Sequence, residues 1–303
     1  MKPVMGFIGL GIMGRPMVIH LLEAGYKVHI YNRSHAAMQQ ALSAGAVLEA
    51  SPAAVAQAAD VTITIVSDTP DVLDVIAGNE GVIHSLTSGK IVIDMSTISP
   101  EVTRGLAQLI VQTGAHMLDA PVSGGEKGAL EATLSIMVGG EVEIYEKCLP
   151  IFRTLGRNIV HVGQNSFGQV VKACNQVLAA STLAAMGEAL ALGTKAGVEP
   201  GKIVEVLTMG AARCWALEVR APHVLNRNFQ PGFKAKLQYK DLGLAMELSR
   251  QMSIPMPIAA QVHEMYKSII TLGYGEEDHS AVVRYIELMA KVVIANTEIN
   301  EFL

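Results

Sequence analysis

The chain has 303 residues, half of them hydrophobic and 17% charged, with 23 basic and 28 acidic side chains. This length allows two domains with separate cores, and the composition argues against a disordered chain. The net charge of −5 and the lack of a basic cluster argue against nucleic acid as a partner.

Cysteine and hydropathy patterns bear on metal binding and on the cellular location of the protein. The three cysteines have no metal-ligand spacing, so we expect no metal site and interpret them as reduced thiols of a cytoplasmic protein. No uninterrupted apolar run reaches the roughly 18 residues of a membrane-spanning helix, and the glycine-rich N-terminal run carries no cleavage-site pattern. We therefore predict a cytoplasmic protein with no membrane partner.

The predicted elements change in kind along the chain. Residues 1–163 alternate short β-branched runs with longer helical stretches, which is typical of a parallel sheet covered by helices. The predicted strands are Val4–Ile8, Val28–Tyr31, Val61–Val66, Ile91–Met95, Met117–Val122, Leu134–Val138 and Asn158–Val162. From about Gly168 to Ala196 the absence of proline predicts a helix about 43 Å long. We predict an α/β domain over residues 1–163 and an all-helical domain over residues 164–303.

The first predicted strand runs into the sequence FIGLGIMGRP. Gly9 permits a tight turn, Gly11 lets a pyrophosphate approach the backbone, and Gly14 lets helix and strand pack closely. A plain glycine turn is the alternative, but a strand before and a helix after favour a nucleotide site whose phosphates face the helix N-terminus. The predicted phosphate loop is Gly9, Leu10, Gly11, Ile12, Met13 and Gly14.

The second strand ends in Asn32-Arg33-Ser34, where an NAD-specific protein would carry an acidic residue for the ribose. No carboxylate repels a 2′-phosphate here, and Arg33 and Ser34 can bind one, so we predict NADP, with NAD also accepted. Arg33 as a solvated loop cation is the alternative. Val66 and Thr97 follow the next two strand ends and are placed at the cofactor edge of the sheet.

Two later motifs carry candidate chemistry. In DAPVSGG, the Ser123 hydroxyl and the backbone N–H groups of Gly124 and Gly125 form a small site suited to a substrate carboxylate, with an ordinary loop as the alternative. In GQVVKACNQ, Lys172 and Asn175 share one helix face. Burial lowers the pKa of an amine, which suits Lys172 as a proton donor, although an interdomain ion pair is the alternative.

We predict structural roles for two further residues, Trp215 and His279. The only tryptophan, Trp215, is predicted to lie in the core. His279 could act as a base, but its neighbours Asp278 and Ser280 resemble a helix cap, so we give it no catalytic role.

The order FIGLGIMG, DAPVSGG, GQVVKACN and KDLGLA resembles the β-hydroxyacid dehydrogenase family over nearly the whole chain. The resemblance implies a Rossmann-type dinucleotide-binding domain, a long interdomain helix and an all-helical domain for substrate binding and oligomer formation. It also implies reversible NAD(P)-linked oxidation of a short 3-hydroxy acid to its semialdehyde, with Lys172 as general acid and base. The residues it assigns to the substrate are Ser123, Gly124, Gly125, Asn175, Phe233, Lys240 and Asp241, and it places Thr97 and Lys240 beside the cofactor.

Within the family the motifs divide. NRNFQPGF and GEEDHSA look like enzymes that reduce tartronate semialdehyde to glycerate, whereas ARCW looks more like enzymes that oxidise 3-hydroxyisobutyrate. We expect tartronate semialdehyde as the substrate, with 3-hydroxyisobutyrate second. A non-catalytic dinucleotide sensor is the alternative of a different class. We expect a homodimer or homotetramer.

Overall fold

The computed structural model describes residues 2–34 and 38–296. The last seven residues of the predicted helical domain, 297–303, lie outside this description. Packing divides the chain into two compact units, Met1–Lys172 and Ala173–Leu303, and each is described by itself.

The first unit is built on one mixed sheet. Its strand order is β3-β2-β1-β4-β5-β6-β8-β7, with β9 beside β8. Strands β1 to β6 run parallel, as the alternating pattern predicted, whereas β8 pairs antiparallel with both β6 and β7. The strands are β1 (Met5–Ile8), β2 (Val28–Tyr31), β3 (Val47–Leu48), β4 (Val61–Thr64), β5 (Ile91–Asp94), β6 (His116–Asp119), β7 (Val122–Ser123), β8 (Leu134–Gly139) and β9 (Gly156–Gly163).

The chain reverses direction between β7 and β8, across residues 124–133, which include α6. Only Ala120 and Pro121 separate β6 from β7, and both strands pair with β8 in one register, with Asp119 opposite Gly139 and Val122 opposite Ile136. The strand β7 therefore continues in the direction of β6, and the predicted single strand Met117–Val122 is found as these two segments. Gly124 and Gly125 follow β7 directly and begin the reversal.

Helices cover both faces of the sheet. The strands β1, β4 and β5 are buried at every position, as expected for parallel strands enclosed on two sides. Phe7 and Leu21 belong to the core on one face, and Val92 and Leu106 to the core on the other. The helices of this unit are α1 (Gly14–Glu23), α2 (Gln39–Ser43), α3 (Pro52–Ala58), α4 (Thr69–Ala77), α5 (Pro100–Val111), α6 (Gly125–Leu130) and α7 (Val142–Phe152).

The predicted long helix is α8, Phe167–Lys195, which begins in the first unit and continues into the second. By length and composition it could cross a membrane, with a mean hydropathy of 1.4. The core helix of a globular protein meets the same criterion, and Leu183 and Leu190 of α8 lie in the core of the second unit.

The second unit is helical throughout its described residues. Its core packs α8 against the later helices through side chains such as Leu242, Tyr266 and Val283. After α8 the helices are α9 (Pro200–Met209), α10 (Ala221–Leu225), α11 (Ala235–Gln251), α12 (Pro257–Thr271) and α13 (Val282–Ala290), with a π-helical turn at Ala216–Arg220.

Gly168, in the first turn of α8, lies directly against the sheet. A Cβ atom there would lie 2.4 Å from the Met137 carbonyl oxygen and 2.7 Å from Asp119 Oδ2. Neither backbone nor a buried carboxylate moves at low cost, so only glycine allows α8 to begin at this depth.

We expect Gly168→Ala to lower the free energy of unfolding by about 1–3 kcal/mol, because the added methyl overpacks the junction of helix and sheet. Gly105→Ala is the matched control, since Gly105 is also a helical glycine but has nothing within 4 Å of the added Cβ. The control should gain up to about 1 kcal/mol from helix propensity. Urea denaturation of both variants measures the contrast, and equal shifts would contradict the assigned role.

Candidate active site

The glycine loop after β1 has the geometry of a phosphate cradle. Gly9 has φ +101°, and a Cβ there would lie 2.2 Å from the Ile65 carbonyl oxygen. At Gly14 a Cβ would lie 1.9 Å from the Gly9 carbonyl oxygen, whereas at Gly11 it would meet nothing within 4 Å. Among the residues that the structure describes, no side chain caps the N-terminus of α1. The loop thus presents open backbone and an uncapped helix end, which fit the phosphates of a dinucleotide.

The residues after β2 have different surroundings. Asn32 Oδ1 accepts a hydrogen bond from Leu10 N at 2.9 Å, and its Nδ2 donates to the Ser34 carbonyl at 2.9 Å, so this side chain fixes the glycine loop. The Arg33 side chain is 92% exposed, and its NH1 lies 3.7 Å from Asp71 Oδ1. The guanidinium is therefore accessible to an incoming phosphate, which would meet Asp71 as a competing anion.

The carboxyl ends of β4 and β5 are joined by buried hydrogen bonds. Asp94 Oδ1 accepts from Thr64 Oγ1 at 2.9 Å and from Ser96 N at 3.1 Å. The Ser96 hydroxyl in turn accepts from Val66 N at 2.9 Å. These bonds hold the two loops in which Val66 and Thr97 lie.

Gln169 of α8 holds the loop around Thr97 from the other side. Its Nε2 donates to the Ser96 carbonyl at 2.8 Å, and its Oε1 accepts from Ile98 N at 3.1 Å. One carboxamide thus brackets Thr97 through the backbone on either side. Gln169 was absent from the predicted set, although a glutamine one turn before Lys172 in an apolar helix was a usable signal.

Asp119, at the end of β6, caps the N-terminus of α8. Its Oδ1 accepts from Ser166 N at 2.7 Å and its Oδ2 from Gln169 N at 3.1 Å. Burial raises the pKa of Asp119 to about 6, and Asp94 nearby adds to the rise, while the two backbone N–H donors oppose it. This carboxyl fixes the start of the helix that carries Lys172 and was also absent from the predicted set.

Lys172 is the sixth residue of α8 and its side chain is buried. Asn175 is the ninth residue of the same helix, three positions after Lys172. Because the rise per residue of a helix is fixed, anchoring the helix start also fixes the height of Lys172 along the helix axis.

The DAPVSGG motif forms the corner between β7 and α6. Ser123 ends β7, and Gly124 and Gly125 have φ values of +130° and +60°. Within residues 2–34 and 38–296, no side chain caps the start of α6. Gly124 is exposed, whereas a Cβ on it would lie 3.3 Å from Leu134 Cδ2. The backbone N–H groups of this corner are therefore presented by a conformation that favours glycine.

In the second unit, Asn175, Lys240 and Asp241 are brought together through Gln176. Asn175 Nδ2 donates to Gln176 Oε1 at 2.7 Å, and Gln176 Nε2 donates to Asp241 Oδ2 at 2.6 Å. Lys240 Nζ lies 3.1 Å from the other oxygen of the buried Asp241. Adjacent residues of α11 thus form an ion pair, and Gln176 was missed by the sequence analysis.

Phe233 belongs to an aromatic group around His279. The centroid of the Phe233 ring lies 5.5 Å from that of His279, and the Trp215 ring lies 5.8 Å away on another side. Trp215 is 45% exposed, so its predicted core position was wrong. The predicted cap is correct, because Asp278 Oδ1 accepts from Ser280 N at 3.1 Å.

Within residues 2–34 and 38–296, no three His, Cys, Asp or Glu side chains lie close enough to hold a metal ion. The candidate chemistry rests instead on a lysine, backbone N–H groups and carboxamides.

Two protein-family models together match most of the chain. Residues 4–163 match the NAD binding domain of 6-phosphogluconate dehydrogenase. Residues 166–286 match the model for NAD-binding of NADP-dependent 3-hydroxyisobutyrate dehydrogenase. The two matches follow each other in the order of the sheet-containing and helical parts.

Relatives match along nearly their whole length. The 2-hydroxy-3-oxopropionate reductase of Escherichia coli (strain K12) is 41% identical over 291 residues, which cover 96% of this chain and 99% of that protein. The 2-(hydroxymethyl)glutarate dehydrogenase of Eubacterium barkeri is 36% identical, covering 96% and 97%. The structure of Mycobacterium tuberculosis 3-hydroxyisobutyrate dehydrogenase with L-serine aligns with a TM-score of 0.86 at 31% identity, covering 94% and 99%.

The raised pKa of Asp119 predicts a pH-dependent stability. The pKa in the folded chain is about 6, above the ordinary 3.8, so the folded state binds the proton more tightly than the unfolded state does. Stability from this group is therefore complete below pH 3.8 and is lost as the pH rises through 6.

We expect the unfolding free energy of the wild type, taken relative to Asp119→Asn, to fall by about 1 kcal/mol between roughly pH 5 and 7.5. Subtracting the unfolding free energy of Asp119→Asn at each pH cancels the contributions of other titrating groups, which both proteins share. Denaturant unfolding at several pH values measures it, and a difference that is flat or rises with pH would refute the assignment.

Proposed function

The chain belongs to the β-hydroxyacid dehydrogenase family of NAD(P)-dependent oxidoreductases, and from this premise we propose that it reduces a short semialdehyde acid. The proposed reaction is reduction of tartronate semialdehyde (2-hydroxy-3-oxopropionate) to glycerate. The observation that carries the proposal is the buried Lys172, six residues into a helix whose start is fixed by Asp119 and Gln169. The Escherichia coli 2-hydroxy-3-oxopropionate reductase, 41% identical, supports the choice of substrate.

In the proposed reaction, different residues of the chain transfer the proton and bind the substrate. NAD(P)H supplies the hydride when bound. Lys172 donates a proton to the carbonyl oxygen during reduction and accepts it back during oxidation, which requires no metal ion. Ser123 and the backbone N–H groups of Gly124 and Gly125 bind the substrate carboxylate, which limits the orientations of the aldehyde. Asn175, Phe233, Lys240 and Asp241 complete the proposed substrate-binding set.

The proposed cofactor set lies mainly around the glycine loop. Its backbone N–H groups face the pyrophosphate, and the exposed Arg33 with Ser34 favours the 2′-phosphate of NADPH over NADH. Asn32 acts by holding the loop. The full set is Gly9, Leu10, Gly11, Ile12, Met13, Gly14, Asn32, Arg33, Ser34, Val66, Thr97 and Lys240.

A second candidate is oxidation of 3-hydroxyisobutyrate. It is favoured by the match of residues 166–286 to the 3-hydroxyisobutyrate dehydrogenase model and by the Mycobacterium tuberculosis structure. Lys172 would perform the same proton transfer in reverse, so the difference lies in the groups that contact the substrate's substituents.

The proposal includes a cytoplasmic homodimer or homotetramer. Leu178 and Leu192 of α8 are 67% and 76% exposed, and apolar side chains of this size on one helix suit contact with another copy. The domain limits of 1–163 and 164–303 are kept as part of the proposal.

Initial rates at 340 nm with a panel of substrates test the proposed function. We expect the highest kcat/KM with tartronate semialdehyde and NADPH, above that with NADH. The panel includes the semialdehyde of 3-hydroxyisobutyrate and, in the oxidative direction, glycerate, 3-hydroxyisobutyrate and L-serine. A higher kcat/KM for 3-hydroxyisobutyrate and its semialdehyde would replace the first candidate by the second.

Lys172→Ala should lower kcat by about 10²–10⁴-fold while the dissociation constant for NADPH, measured by fluorescence titration, stays unchanged. Lys172→Arg keeps the positive charge and serves as the matched control. It should not restore turnover, because a guanidinium does not release its proton near neutral pH. Retention of more than about a tenth of kcat in Lys172→Ala, with chemistry rate-limiting, would assign the proton to another group.

A further inference from the structure

The second unit contains a chain of buried polar side chains that the proposed reaction does not use. Its members, here called the imidazole–carboxamide chain, are Arg220, His279, Gln238 and Gln176. The side chains of His279, Gln238 and Gln176 are almost fully buried, and Arg220 is 15% exposed. Buried polar groups are costly unless their hydrogen bonds are made, so the direction of each bond in this chain is constrained.

Arg220, at one end of the imidazole–carboxamide chain, can only donate hydrogen bonds. Arg220 Nε lies 3.4 Å from His279 Nε2, and a guanidinium has no acceptor. The nearest carboxylate oxygen, Asp278 Oδ1, lies 4.0 Å from His279 Nε2, which is too far for a hydrogen bond. His279 Nε2 therefore accepts from Arg220, which places the imidazole proton on Nδ1. That nitrogen lies 3.2 Å from Gln238 Oε1 and donates to it.

The backbone carbonyl of Gln176, at the other end of the imidazole–carboxamide chain, can only accept hydrogen bonds. Gln238 Nε2 donates to the backbone carbonyl of Gln176 at 3.3 Å, so the Gln238 carboxamide cannot be reversed. Its oxygen then faces His279 Nδ1 and also lies 3.5 Å from Gln176 Nε2. With the proton on Nε2 instead, two acceptors would face each other across the bond between His279 and Gln238.

The orientation of Gln238 also determines how Gln176 bonds to two of the proposed substrate-binding residues. Gln176 Nε2 points to Gln238 Oε1 and to Asp241 Oδ2, so Gln176 Oε1 remains to accept from Asn175 Nδ2. A reversed Gln176 would place its NH₂ group against that of Asn175 and its oxygen against the Asp241 carboxylate. The orientation of two groups in the proposed site therefore depends on that of one carboxamide.

We propose that His279, as the Nδ1–H tautomer, is a positioning residue that orients Gln238 and Gln176 and, through them, Asn175 and Asp241. The inference rests on the proposed function, because Asn175 and Asp241 gain their importance there. Tyr266 donates to the His279 carbonyl at 2.9 Å, and the Phe233 and Trp215 rings flank the imidazole, so the ring has little freedom to turn.

Two substitutions separate the two ring nitrogens. In His279→Asn the short amide places an NH₂ donor near the Nδ1 position and keeps the bond to Gln238. In His279→Gln the longer amide places its polar atoms near Nε2 and loses that bond. We expect His279→Asn to keep kcat/KM within about threefold of the wild type. His279→Gln should lose about tenfold or more with an unchanged dissociation constant for NADPH, since an unmet buried hydrogen bond is worth a factor of this order.

His263 provides the matched control. It lies in the same unit, and its ring stacks on that of Tyr239 with 4.3 Å between the ring centroids. His263→Asn and His263→Gln should have equal kcat/KM values. Equal kcat/KM values for the two His279 variants would overturn the proposal, because a role in packing alone does not distinguish between the nitrogens.

The tautomer itself can be measured without turnover. In the ¹⁵N NMR spectrum of histidine-labelled wild type, the imidazole assigned to His279 by its proximity to the Phe233 and Trp215 rings should carry its proton on Nδ1. This assignment separates it from His29, whose Nδ1 lies 2.6 Å from Glu49 Oε1. A proton on Nε2 of His279, or on both of its nitrogens at neutral pH, would overturn the proposal even if neither variant folds. If the wild type turns over no substrate of the panel, the proposed function fails while this measurement still decides the state of His279.

Discussion

The cap that Asp119 provides to α8 is the interaction on which the proposed chemistry depends. One carboxyl group at the end of β6 accepts the N–H groups of Ser166 and Gln169, and it sets where a 29-residue helix begins. Helix geometry then determines the position of Lys172 along the helix axis. The arrangement has a cost, because burial raises the pKa of Asp119 to about 6, so ionising this carboxyl is less favourable in the folded chain than in the unfolded one. Gly168 permits the close contact that makes the cap possible.

In both units, buried carboxamides determine the orientation of neighbouring polar groups. In the first unit, Gln169 bonds to one backbone acceptor and one backbone donor around Thr97. In the second, Gln238 bonds to the carbonyl of Gln176 and to the imidazole of His279. A carboxamide with a donor-only partner on its oxygen and an acceptor-only partner on its nitrogen has one orientation. Such groups add no charge to a site, yet they determine how neighbouring polar groups point.

Much of the fold was predictable from periodicity and glycine spacing. The parallel strands, the limits of α8 to within one residue and the roles of Gly9 and Gly14 follow from local patterns, because strand burial and tight turns constrain residue type strongly. The break between β6 and β7 was not predicted, because two residues between strand segments carry little pattern. Gln169, Gln176 and Gln238 were missed because a glutamine in a helix usually faces water, and their role depends on partners distant in sequence.

The same reasoning explains why the predicted core position of Trp215 was wrong while the predicted cap at Asp278 was correct. A helix cap is a local contact between residues two or three positions apart, so the sequence contains both partners. The surroundings of His279 come from three separate segments, with Trp215 and Arg220 on one, Phe233 and Gln238 on a second and His279 on a third. The tautomer of an imidazole is determined by such partners and has no signature in sequence. Side-chain direction is thus the property that a three-dimensional structure adds most clearly to the sequence of this chain.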